Sequence, residues 1–212
     1  MLYWCNLVGA TLLVLFVHEL GHFLAARWCG VRVFRFSIGL GPEIFGFTDR
    51  FGTRWKLALL PVGGSVGMRE RDLSDEPIVP AGGTSDAFSD KPIGQRVAIY
   101  LAGPMFSLAG AMVLAGGVIL LRGAGALQDA LSYSEPGFIH MAIGLSVLFG
   151  ACNLLPIPPL DGGNLLFFGI EAFRGKPIAS RIRSALSLSG TIFLILLTLL
   201  LVAFGASRIM WA

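Results

Sequence analysis

The sequence predicts an all-α polytopic membrane protein, with about four transmembrane helices and a small membrane-associated β-sheet or hairpin region after helix one. Three observations carry that expectation. The mean hydropathy is +0.76, and 55% of residues are hydrophobic while only 14% are charged, against about 25% charged in ordinary globular chains. Four stretches approach the roughly 20 apolar residues that a bilayer span requires, at residues 2–26, 97–121, 138–158 and 188–206. Between the first two, the pattern changes to the alternation of short strands. A chain of 212 residues holds these elements as a single domain, 1–212, in which residues 27–96 form a cytoplasmic β-region and loop.

The first span has no basic segment before it and no small-residue cleavage site before its end, so it reads as a retained helix and not a removed signal peptide. It closes on His18, Glu19, Leu20, Gly21 and His22. Residues four apart share one helix face, so His18 and His22 can offer two imidazole nitrogens to one zinc ion, with Glu19 beside them as general base. Ionisable groups inside an apolar span are expensive to bury and mark function.

After that helix, Val33, Phe34, Phe36 and Ile38 alternate among Arg32, Arg35 and Ser37, and residues 43–48 follow a Gly39, Leu40, Gly41, Pro42 break. Residues 49–53 turn the chain into 54–60, and residues 61–65 turn it again towards Val66 and Met68. These read as short strands with turns, a small sheet against the membrane. An open edge around Leu59, Gly63 and Gly64 would hold an extended peptide by main-chain hydrogen bonds; a covered edge would make the same sheet a structural cap. Residues 69–92, acidic and rich in Gly, Pro and Ser, read as a loop over the cytoplasmic face.

Small residues along the second span (Gly103, Ser107, Gly110, Ala111, Gly116) allow close helix approach. The third span runs past Asn153 into Pro156, Pro158 and Pro159 and ends before Asp161; prolines remove backbone donors and break helices. A catalytic zinc normally takes three protein ligands. Asp161, the only acid between Glu135 and Glu171, is the natural third; Cys152 competes, but within its apolar run it reads as a small packing residue. His140, at the outward end of the third span, reads as an interfacial polar residue. Cys5, Cys29 and Cys152 form no disulfide framework.

Orientation follows from basic residues. Residues 27–96 hold ten Lys or Arg and residues 174–183 hold four, while the second-to-third connection has only Arg122. The positive-inside rule places the first two in the cytoplasm, both termini outward, and the histidines near the cytoplasmic side of a cell inner membrane. The net charge of +3 follows from the same bias. No stripe of basic and aromatic residues points to nucleic acid; the lipid bilayer is the expected surrounding. Three classes fit these residues: a zinc endopeptidase, a membrane zinc transporter, and a protein that binds membrane helices without cutting them. A transporter would be expected to carry ligand motifs on two helices and often a His-rich loop, and the chain has three histidines in all.

In order along the chain, His18-Glu19-Leu20-Gly21-His22-Phe23, Phe36-Ser37-Ile38-Gly39-Leu40-Gly41-Pro42, Leu59-Leu60-Pro61-Val62-Gly63-Gly64, Gly94-Gln95-Arg96, Ala102-Gly103-Pro104 and Asn153-Leu154-Leu155-Pro156-Ile157-Pro158-Pro159-Leu160-Asp161-Gly162-Gly163 resemble the site-2 intramembrane metalloproteases. The similarity is to the bacterial branch that cleaves anti-sigma factors in regulated intramembrane proteolysis. The resemblance implies zinc ligands His18, His22 and Asp161, Glu19 as catalytic base, and single-pass membrane proteins such as anti-sigma factors as substrates. It implies that the sheet engages substrate as an added strand and that Asn153 holds substrate backbone. Departures accompany it: Ser107 stands where the family usually has Asn, Ser65 and Gly67 where it commonly has Tyr and Lys, and Asn164 where the branch often has His. Residues 122–137 are too few for the PDZ domains that the branch carries there, so none is expected within 1–212.

Overall fold

A computed structural model describes residues 2–70, 85–123, 137–176 and 178–210. The chain forms two units, Met1–Asn153 and Leu154–Ala212. The first contains helix α1 (Leu2–Trp28), strands β1 (Val33–Thr48) and β2 (Arg54–Met68), a 3-10 turn at Phe88–Asp90, and helices α2 (Ile93–Arg122) and α3 (Phe138–Asn153). The second contains α4 (Asp161–Arg174) and α5 (Ser180–Met210).

Helix α1 is apolar on every side, so amphipathicity does not choose its buried face; its neighbours do. It packs against α2, α3 and both strands, and α2 packs against α3. Ala10, Met141 and Ala142 form a buried cluster ringed by Leu7, Leu13, Leu114 and Leu145. The α1–α2 approach is close because Gly21 carries no side chain: a Cβ there would stand 2.5 Å from the Ala102 carbonyl oxygen. Outward-facing Leu2, Trp4, Met112, Val113, Leu120 and Leu121 are exposed, a distribution suited to lipid. Among the described residues, Leu2–Trp28 and Ile93–Leu121 are long and apolar enough to cross a membrane.

The third span expected at 138–158 is shorter in the structure. Helix α3 ends at Asn153 after 16 residues, about 24 Å at 1.5 Å per residue, and residues 154–160 run through turns that include a cis Pro158-Pro159 bond. Pro156, Pro158 and Pro159 cannot donate to a helical ladder, so the apolar Leu154, Leu155 and Ile157 do not extend it. The chain then enters α4, a helix absent from the sequence expectation, whose left-handed C-terminal Gly175 returns an N–H to the Glu171 carbonyl. The fourth predicted span, 188–206, lies within α5, which begins at residue 180.

The sheet after α1 consists of two long bent strands. Gly39 and Gly41 adopt φ of 84° and 94° in β1 and Gly63 adopts 70° in β2, backbone that L side chains resist. Each strand is thereby divided in two. Residues 43–48 pair antiparallel with 54–58 (Thr48 opposite Arg54, Glu43 opposite Ala58), and residues 33–38 pair antiparallel with 64–68 (Val33 opposite Met68, Ile38 opposite Gly64). Residues 35–38 also run beside 54–57, Phe36 opposite Trp55. The hairpin turn is closed by Asp49, whose carboxylate accepts from the backbone of Phe51 (2.8 Å) and Thr53 (3.0 Å) and from the Trp55 indole (3.0 Å). The indole is the largest reason that the Asp49 carboxyl lies below its ordinary value of 3.8; the backbone donors and Arg27 add to it against desolvation.

Phe36, almost fully buried, docks the sheet onto α1: its ring meets Phe16 (5.9 Å) and Phe23 (5.7 Å) of the helix and Trp55 (4.5 Å) of β2. The sequence loop 69–92 is tied at both ends. Arg69 donates its backbone N–H to Arg32, Arg32 to Asp86 and Phe88 to Arg69, and the Arg69 guanidinium pairs with Asp86 at 3.1 Å. Residues 71–84, between these ends, and 124–136 of the second-to-third connection lie outside the described residues.

Candidate metal centre

His18 and His22 stand one turn apart on the face of α1 that meets α2, and both are buried with Glu19 between them, at 3%, 6% and 7% exposure. Each imidazole is anchored by α2 through Nδ1. That of His22 donates to the Ile99 carbonyl oxygen at 2.8 Å, and that of His18 lies 3.0 Å from the Ser107 hydroxyl. A carbonyl can only accept, so Nδ1 of His22 carries a proton, and in the neutral ring Nε2 is then the atom with a lone pair. The two Nε2 atoms face each other at 3.3 Å. Two nitrogens bound to one tetrahedral zinc at about 2.0–2.1 Å would stand roughly 3.3 Å apart, so the imidazole pair fits that ion.

Gly103, one turn from both Ile99 and Ser107, makes the arrangement possible. A Cβ at that position would fall on the His22 ring; its absence also leaves the Ile99 carbonyl, one turn earlier, open to the imidazole. Phe149 of α3 packs edge-on to His18 (4.8 Å) and Tyr100 to His22 (6.0 Å), so aromatic rings wall the pair. Such anchoring of the non-ligating nitrogen fixes ring orientation and tautomer.

The remaining predicted residues are distributed as follows. Gly64 lies against Glu19: a Cβ on it would be 2.6 Å from the Glu19 Cγ and Oε1. Gly63 forms the bend before it, and Leu59, an exposed residue, belongs to the segment of β2 leading into that bend. Asn153 is buried at the last residue of α3 and donates to the Phe149 carbonyl at 2.9 Å. In the second unit, Asp161 occupies the first turn of α4, where a carboxylate is favoured by the helix dipole. The same unit resolves the Asn164 departure: its side-chain oxygen accepts from Arg183 at 2.9 Å, and that guanidinium lies over Phe168. Cys152 is exposed. Among the described residues, His140 lines a separate cavity of about 310 Å³ with Val113 and Leu121.

Sequence reasoning did not assign Ile99, Gly103, Tyr100 or Phe149 to the centre, and it read Ser107 as a small packing residue and as a departure from the family pattern. The available signal was the spacing of Ile99, Gly103 and Ser107, each four residues apart on one face.

The model of peptidase family M50 matches residues 7–135 and 116–197. A Brucella suis protein named "Putative zinc metalloprotease" is 45% identical over 108 residues, 45% of this chain and 27% of that protein. A Mesorhizobium japonicum protein of the same description is 43% identical over 106 residues, 44% of this chain and 28% of its own. The regulator of sigma-E protease of Salmonella typhimurium is 52% identical over 89 residues, 42% of this chain and 19% of that protein. The matched region thus spans about a quarter or less of these relatives' length.

Proposed function

This chain belongs to peptidase family M50, and on that premise we propose that it is a zinc metalloprotease acting within the cytoplasmic membrane. The observation that carries the reading is the facing imidazole pair of His18 and His22 with Glu19 beside it. Two imidazoles leave a catalytic zinc short of a ligand; Asp161, an acid in the first turn of α4, is the proposed third. Bound by these residues, zinc supplies Lewis acidity at a peptide carbonyl.

Glu19 is the general base: its carboxylate takes the proton of the attacking water and returns it to the leaving amine. Burial of Glu19 keeps bulk water from competing for that proton. Gly64, beside Glu19, brings the β2 backbone to the reacting bond, and the segment containing Leu59, Gly63 and Gly64 aligns the substrate in extended form. Asn153 holds substrate main chain through its carboxamide. The substrates are transmembrane segments of single-pass proteins of the anti-sigma-factor kind, a class supported by the likeness to a regulator of sigma-E protease. A helical segment has its carbonyls occupied, so it must unwind before cleavage. The proposed topology has about four spans within one domain, both termini outward and the centre near the cytoplasmic side, a reading supported by the distribution of basic residues.

The test is zinc content and cleavage of a model membrane substrate by the purified chain and its variants. Glu19→Gln should retain about one zinc and lose turnover, while His22→Ala and Asp161→Ala should lose both. Turnover that survives in Glu19→Gln would refute the assigned base, and zinc held without any cleavage by the wild-type chain would favour a transporter or a helix-binding protein.

A further inference from the structure

Beside the metal centre, within the first unit, lies a cavity of about 350 Å³. We propose that it receives one large apolar side chain of the substrate, adjacent to the bond that is cut; the proposal rests on the peptidase reading above. Its walls adjoin the residues of the centre on three elements. Val14 and Leu15 form the wall on α1, four and three residues before His18 and on its face, so the cavity begins about 5 Å along the helix axis from the imidazole. Phe149 forms the α3 wall and packs edge-on to His18 at 4.8 Å. Pro61 and Gly63 form the rim, and the next residue, Gly64, lies against Glu19. A group in the cavity is therefore next to the carbonyl that His18, His22 and Glu19 act on.

Size and chemistry select the occupant. The volume lies at the lower end of the range of about 300–1,000 Å³ for small-ligand pockets. A substrate helix has its carbonyls occupied by its own N–H groups and must unwind before it is cut, so the group presented to the cavity is a side chain of an unwound segment. The lining is almost wholly apolar: Thr11 is its hydroxyl-bearing member, and that hydroxyl donates to the Leu7 carbonyl of its own helix at 2.8 Å. Nothing there compensates a buried charge. The preferred residue is Leu, Phe or Met, and Asp or Lys is rejected.

The experiment uses the full chain in detergent with membrane-segment peptides that carry Ala, Leu, Phe, Trp or Asp at each residue flanking the cut. At one flanking position, kcat/KM for Leu or Phe should exceed that for Ala by about tenfold, the discrimination an apolar pocket supplies, and Asp should be the poorest. Cys152→Trp, which fills the cavity from α3, should bring the Leu-to-Ala ratio close to one, and Leu148→Ala, which widens it, should move the preference towards Trp. Equal rates across the wild-type panel, or ratios unchanged in both variants, would overturn the proposal.

A second measurement needs no turnover. In a Cys5→Ser, Cys29→Ser, Glu19→Gln chain, the Leu peptide should slow alkylation of Cys152 by an apolar maleimide about fivefold, and the Ala peptide should not. Protection by phosphatidylglycerol vesicles but by no peptide would assign the cavity to a lipid chain and overturn the proposal. Failure of the wild-type chain to cut any peptide would sink the peptidase reading, while Cys152 protection would still decide the pocket.

Discussion

Replacing Gly103 by Ala tests how α2 builds the metal centre, because one methyl group has opposite consequences at two positions on the same helix. At Gly116, where an added Cβ meets nothing within 4 Å, Gly→Ala should stabilise the helix by about 1 kcal/mol through reduced backbone entropy. At Gly103 the same helix gain is opposed by a Cβ that falls on the Nε2, Cε1 and Cδ2 atoms of His22. The imidazole cannot swing aside without leaving the Ile99 carbonyl, and that would strand a buried donor at about 1–3 kcal/mol; the overpacking itself costs about 1–3 kcal/mol. The net expectation for Gly103→Ala is therefore a loss of about 1–5 kcal/mol where Gly116→Ala gains about 1. Zinc affinity should fall at least tenfold, as it does when the support of a ligating imidazole is disturbed. The assays are thermal unfolding in detergent and zinc competition against a chelator, with both variants side by side. Wild-type zinc affinity in Gly103→Ala would refute the claim that α2 positions His22.

Other outcomes follow from neighbouring geometry. Gly64→Ala inserts a methyl 2.6 Å from the Glu19 carboxylate and should lower kcat by about a hundredfold, the scale of a misplacement near 1 Å, with zinc content retained; loss of zinc together with kcat would contradict it. The Asp49 carboxyl lies below its ordinary value, so its stabilisation of the hairpin turn is complete above pH 3.8 and is lost as pH falls through the lower folded value. The difference in melting temperature between wild type and Asp49→Ala should hold from pH 7 to 5 and narrow as pH falls below 3.8; a gap independent of pH would remove the charge from the explanation. In a cysteine-free chain in intact cells, cysteines at Arg50 and Ala179 should be shielded from an impermeant thiol reagent and one at Gly137 should react; the reverse pattern would invert the proposed topology.

The parts of the molecule that were legible in the sequence were those written in one segment's own side chains. The spacing of His18 and His22 is a statement about a single helix, and the alternation through Phe36 and Ile38, broken by Gly39, Gly41 and Pro42, is a statement about a single strand and its bend. The break after α3 was legible in the donors missing at three prolines, but the span bound of 158 ran past the helix end at Asn153 because hydropathy counts Leu154, Leu155 and Ile157 as span. Helix α4 was missed for a related reason: Gly162 and Gly163 are poor helix formers, yet both are buried inside it, against the backbone of residues 154–158. What supports the histidines was illegible because it lies in the match between two helices, and one of its members is a carbonyl that no side chain announces.

That match can nevertheless be reasoned out once α1 is known. The two histidines are four residues apart, about 6 Å along the axis, while their anchors on α2 are eight apart, about 12 Å. The order is reversed, His18 with Ser107 and His22 with Ile99, as antiparallel helices require. The lengths reconcile because a carbonyl points towards its helix C-terminus and a side chain leans towards the N-terminus: the Ile99 oxygen and the Ser107 hydroxyl both reach inward, over Gly103. A residue with a Cβ at position 103 would stand in the space where these two groups meet the imidazoles. Glycine at the midpoint of an eight-residue interval bounded by a hydrogen-bonding side chain is therefore the trace that a two-histidine helix leaves on its partner.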